Sequence, residues 1–155
     1  MDRDSIKMYS EMELKYSEKL GETVRKVRNP AIKVLMEAVS RDSVKHSMIY
    51  KAILDLMEHK GPLISEDESE KIIEEIKAHI KAEEEMIKNV DSLLKEGTGD
   101  KAIEYLLETV LNDEKIHHAI LKGIYNIIVK RHTLKESDIW ELLWKDSPFH
   151  GTPGG

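Results

Sequence analysis

The stretch Asn112 to His118, written NDEKIHH, sets Glu114 and His117 three residues apart. On a helix, residues at i and i+3 project side by side from one face. A carboxylate and an imidazole directed at one point supply half of a metal site, and the other half has to come from another helix. The chain contains a second version of this stretch. Laying residues 31 to 54 over residues 102 to 125, a constant offset of 71, pairs ten identical residues in 24 positions. They are Ala31/Ala102, Ile32/Ile103, Leu35/Leu106, Glu37/Glu108, Val39/Val110, Asp42/Asp113, His46/His117, Ile49/Ile120, Lys51/Lys122 and Ile53/Ile124. Apolar positions coincide in any two amphipathic helices, but the paired Asp and His do not. At one place the versions differ in chemistry: Asp113, Glu114 and His117 answer to Asp42, Ser43 and His46, so the first copy lacks the carboxylate three residues before its histidine.

Composition narrows what such a site can be. The chain has 155 residues, enough for one well-packed domain and short for two, with 40% hydrophobic and 35% charged residues. This is the makeup of a soluble helical protein. A net charge of −6 with acidic and basic residues interleaved offers no basic patch, which argues against nucleic acid. No run of about 18 apolar residues spans a bilayer, so no membrane partner is expected. The start MDRDSIK lacks the apolar core of a signal peptide, and the expected location is cytoplasmic. With no cysteine, disulfides, thiol catalysis and iron–sulfur clusters drop out together, and any metal has to be held by His, Asp and Glu.

The elements that position these residues follow from periodicity and caps. Residues 5 to 28 carry Ile6, Tyr9, Tyr16, Leu20, Val24 and Val27 on one helical stripe, with Glu13 inside it. Asn29 and Pro30 are N-cap and first residue of a second helix, whose stripe runs Ile32, Leu35, Met36, Val39, Ser43, His46, Tyr50, Ile53 and Met57 to a stop at Gly61 and Pro62. Ser65 and Glu68 form a capping box for a third, with Ile72, Ile76, Ile80 or His79, Glu83, Ile87, Val90 and Leu94 inward. Asp100 caps a fourth, carrying Ile103, Leu106, Leu107, Val110, Glu114, His117, Leu121 and Ile124 inward, with His118 turned outward. At about 1.5 Å per residue, Glu13 and His46 both lie about 25 Å from the turn near Asn29, and Glu83 and His117 roughly 20–25 Å from the turn near Gly99. Each helix thus sets its odd polar residue at one level. Burying several unpaired carboxylates costs several kcal/mol each unless a cation or protons neutralise them, so a bound metal is the simplest explanation.

At this point the chain resembles the ferritin-like, rubrerythrin-related di-iron carboxylate proteins, in which two helices each give one Glu and two others each give a Glu-x-x-His pair. The resemblance covers residues 5 to 131 and implies a ferritin-like four-helix bundle. It makes Glu13, His46, Glu83, Glu114 and His117 the metal ligands, with Asp42 and Asp113 orienting the histidines of the opposite copies. One or two iron ions per chain are implied, or manganese, with redox chemistry on oxygen, peroxide or iron itself. Ser43 departs from the pattern and leaves one metal position weak, empty, or rescued by His79, one turn from Glu83. Residues 61 to 65 span at most about 17 Å, too short for the family's crossover, which favours up-and-down connectivity. The cysteine module of rubrerythrins is absent, so electrons come from an external donor. AHIKAEEEM, with His79 four residues before Glu83, is similar to the His-x-x-x-Glu element of hemerythrin-like domains, the second choice among metal readings. The rival of another class is a metal-free bundle of ferritin-like descent with a structural or interaction role.

The expected organisation is a bundle over residues 1–132, a short amphipathic helix over 133–147 and a disordered tail over 148–155. The short helix opens at a Thr133/Glu136 capping box and sets Ile139, Trp140, Leu143 and Trp144 on one surface. Such a surface needs a cover, and a homodimer through this helix is the simplest closed assembly.

Overall fold

Each helix begins where a side chain captures backbone N–H groups that the helix cannot satisfy itself. In the computed structural model, which describes residues 2–59 and 65–130, the Asp2 carboxylate accepts from Asp4 and Ser5 and opens α1 (Arg3–Val24). The Asn29 side chain accepts the Ile32 N–H at 3.1 Å, and Pro30 starts α2 (Pro30–Glu58). The Ser65 hydroxyl accepts the Glu68 N–H at 3.3 Å while the Glu68 carboxylate takes the Ser65 N–H at 2.9 Å, the capping box that opens α3 (Glu66–Glu96). Those bonds from Ser65, backbone first and hydroxyl second, hold the Glu68 carboxyl below the usual carboxylate range. Asp100 accepts the Ala102 N–H at 2.7 Å and opens α4 (Lys101–Lys130). Between α3 and α4 the backbone turns at Gly97 and Gly99, with φ of 75° and 73°, a region in which a side chain would be strained.

The helices pack as two pairs, α1 with α2 and α3 with α4, each an antiparallel hairpin. All four helices and their caps follow the sequence pattern, and the described residues hold no strand. No helix among them is long and apolar enough to cross a membrane. α2 and α4, the helices related by the offset of 71, start at Pro30 and Lys101.

The faces differ in part from those the periodicity predicts. In the first hairpin Tyr9, Tyr16, Ile32 and Val39 are exposed, and Ser10 and Ser47 are buried in their stead beside Ile6 and Val24. Tyr9 leans on Tyr50 with ring centroids 5.8 Å apart. In α4 the expected inward residues Leu106, Leu107, Glu114 and Leu121 are half-buried, but Ile103, Val110 and Ile124 are exposed, and Leu111 and Ile128 are buried instead. The α3 stripe holds from Ile76 onward, with Ile76 and Val90 buried and Ile80, Glu83, Ile87 and Leu94 half-buried, while Ile72 at its start is exposed. The connection after His59, the expected helix over 133–147 with its homodimer surface, and the tail over 148–155 lie outside the described residues.

Candidate metal centre

The five candidate ligands fall into two groups, one in each hairpin. In the first, Glu13 Oε1 of α1 lies 3.3 Å from His46 Nδ1 of α2, with the His46 ring about half exposed. Serine pairs flank this contact. Ser10 donates to the Ser47 carbonyl at 3.2 Å, and its Oγ lies 2.9 Å from Ser47 Oγ. Ser40 donates to the Ser17 carbonyl at 3.0 Å, with the two hydroxyl oxygens again 3.0 Å apart. A hydroxyl has one proton, so in each pair the other serine supplies the second bond. The polar groups of this seam therefore satisfy one another. Ser43 is half-buried one turn before Ser47.

In the second hairpin Glu83 of α3 and Glu114 and His117 of α4 each present one donor atom, all within 4.8 Å of one another. Ligand atoms about 2.0–2.2 Å from a transition ion stand at most about 4.4 Å apart, so small rotamer adjustments bring these three onto a common centre. Glu83 and Glu114 are half-buried and His117 is exposed. Oxygen Oε2 of Glu83 is buried with no hydrogen-bond partner. Leaving such an atom unsatisfied costs about 1–3 kcal/mol. A heptad stripe of Ile76, Ile80, Glu83, Ile87 and Val90 holds Glu83 against α4, and one helical turn links Glu114 to His117. Two hard oxygens with an imidazole are a donor set for iron or manganese.

The remaining candidates have other surroundings. Asp42 is exposed and accepts from Lys45 Nζ at 2.6 Å. Asp113 is exposed. His79, the proposed rescue ligand, is also exposed, with Nδ1 3.2 Å from the Glu75 carbonyl of its own helix.

His118 is the residue that sequence reasoning misplaces. Expected to face outward, it enters the seam: its side chain is 18% exposed, and Nε2 lies 3.6 Å from Glu84 Oε1 across on α3. Its Nδ1 is buried without a partner. The offset of 71 maps His118 onto Ser47, which is also buried, but the sequence holds no sign of that burial. Comparison of the chain with known protein families, with curated proteins and with solved structures returns no match.

Proposed function

We propose that this chain is a ferritin-like metal protein whose second hairpin holds a divalent transition ion through Glu83, Glu114 and His117. The observation that carries the reading is the buried, unpartnered Oε2 of Glu83, a residue that shares a group of three donor atoms drawn from two helices. A carboxylate oxygen shut away from both water and protein donors is stabilised by a cation more than by any other available group. Iron comes first, manganese second, on the hardness of the donor set and on the resemblance to the di-iron carboxylate proteins. Bound there, iron supplies redox chemistry on oxygen or peroxide, with reducing equivalents from an external donor. The protein residues hold and orient: Glu83 fixes the ion to α3, Glu114 and His117 fix it to α4, and the leucine and isoleucine seam keeps water from the inner side. Glu13 and His46 offer two donors already engaged with each other, a weaker second position.

The test is elemental analysis of the full chain purified without chelator after growth with iron and manganese. An ion equimolar with the chain, lost in Glu83→Gln and in Glu114→Gln, is expected. Metal-free wild-type protein from that preparation would select the second reading, a structural or interaction protein, which Ser43 and the self-satisfied seam of the first hairpin favour.

A further inference from the structure

We infer that one side of the second hairpin is a docking surface for a second copy of this chain, and that the metal centre is completed between the two copies. The metal part rests on the reading above and says where the rest of its ligand set comes from. Along α3, Ile72, His79, Met86 and Leu93 stand seven residues apart, and all four are exposed. Along α4, Ile103, Val110, His117 and Ile124 follow the same interval and are exposed as well. An apolar stripe of period seven is the surface that one helix offers to another. Each stripe is turned from the α3/α4 seam by roughly 60–80° in the same sense, which in an antiparallel pair puts both on one side. With Glu83 level with Glu114, the stripes match rung by rung: Ile72 with Ile124, His79 with His117, Met86 with Val110, and Leu93 with Ile103. Two helices about 45 Å long and about 10 Å across present about 900 Å² on that side, close to the ~800 Å² that each partner gives to a stable interface.

The histidine rung points to the occupant. A two-fold axis running along the helices leaves every residue at its own level, so a second copy sets histidine beside histidine and aliphatic beside aliphatic. A polar position within an apolar stripe specifies register, and an identical chain matches it by construction. His79 Nδ1 lies 3.2 Å from the Glu75 carbonyl, to which a ring nitrogen can only donate, so its lone pair is on Nε2. The donor group opens on the same side, because His117 belongs both to the stripe and to the group it forms with Glu83 and Glu114. Three donors fill half of an octahedral ion, the geometry of hard-ligand sites. The same three from the second copy arrive at the same level across the axis. Four carboxylates and two His117 rings then surround two ions, one per chain. Without ions those carboxylates converge unneutralised, which opposes docking. Docking and metal binding are therefore coupled.

The experiment is sedimentation equilibrium of the full chain with equimolar Co(II) and in chelator, for wild type, Leu93→Glu, Ile103→Glu and Tyr105→Glu. Leu93 and Ile103 form a rung about 15 Å along the helices from the donor group. Tyr105, also exposed, lies about 200° around α4 from Ile103 and serves as the control. A wild-type dimer holding one Co(II) per chain is expected, with a dissociation constant about tenfold or more higher in chelator. Leu93→Glu and Ile103→Glu should be monomeric and, despite their distance from the ion, bind Co(II) about 5-fold or more weakly. Tyr105→Glu should match wild type. The comparison of Co(II) with chelator needs no substitution, so it decides even where a variant misfolds: a dimer equally tight in chelator overturns completion of the centre between copies. A Co(II)-loaded monomer overturns the docking surface and the shared centre together, and leaves the three-donor reading standing. A dimer that both rung variants leave intact overturns this surface. A dimer broken by them whose wild type binds no Co(II) upholds the surface and overturns the metal centre, along with the reading it rests on.

Discussion

His117 and His118 are neighbours in the chain yet meet different surroundings, one exposed and one in the seam of α3 and α4. The spacing of three from Glu114 was legible in the sequence and picks out His117. The spacing of four is equally compatible with one helix face, and nothing in the local pattern decides between them. What decides is the direction from which α3 approaches, a tertiary fact. Ser43 is the converse case: its substitution for a carboxylate was visible at once by comparison with Glu114, and its half-buried position beside the Glu13–His46 contact gives the difference a consequence. Ser43→Glu would give the first hairpin the three donor types that Glu83, Glu114 and His117 give the second. A second ion per chain is the expected outcome. Isothermal titration of the variant with Mn(II) that shows the wild-type stoichiometry would remove Ser43 from the site.

Caps mark element boundaries through short-range hydrogen bonds, and for this reason Asn29, Ser65 with Glu68, and Asp100 could be read directly. Faces are set by packing over distance and were read less well. The serine seam of α1 and α2 could not be seen, because serine scores as polar and its burial depends on a partner hydroxyl on the other helix. Ser10 and Ser17 stand seven apart, as do Ser40 and Ser47, so the pairs recur at heptad spacing along an antiparallel contact. The coupling within a pair can be measured. Ser10→Ala takes away the acceptor of the fully buried Ser47 hydroxyl and should cost about 1–3 kcal/mol, whereas Ser10→Ala with Ser47→Ala should recover most of it, since removing both partners strands neither. Urea unfolding of the two single variants and the double one gives the cycle, and purely additive losses would show that the hydroxyls are not coupled.

At the scale of the molecule, the chain is two helical hairpins built on one pattern. Half of that repetition was legible, the α2/α4 half, where ten identities survive. The α1/α3 half was not, because at an offset of 70 Ile6/Ile76 and Glu13/Glu83 are the identities left along its seam, while Ser10 and Ser17 correspond to Ile80 and Ile87. Those replacements divide the chain thermally. Exposing apolar surface raises the heat capacity of unfolding and exposing polar surface lowers it, and burial of apolar groups stabilises less as water cools. The first hairpin buries two aliphatic residues, Ile6 and Val24, with two serines, Ser10 and Ser47, whereas the second buries four, Ile76, Val90, Leu111 and Ile128, with one, Ser69. Local opening of α3 and α4 should therefore become easier on cooling toward freezing, with α1 and α2 holding more of their protection. Amide hydrogen exchange followed at room temperature and near 0 °C in chelator resolves the two sets of amides, and parallel changes in both would contradict it. The serines that stand where the second half has Glu114, Ile80 and Ile87 thus leave the first half the less sensitive to cold.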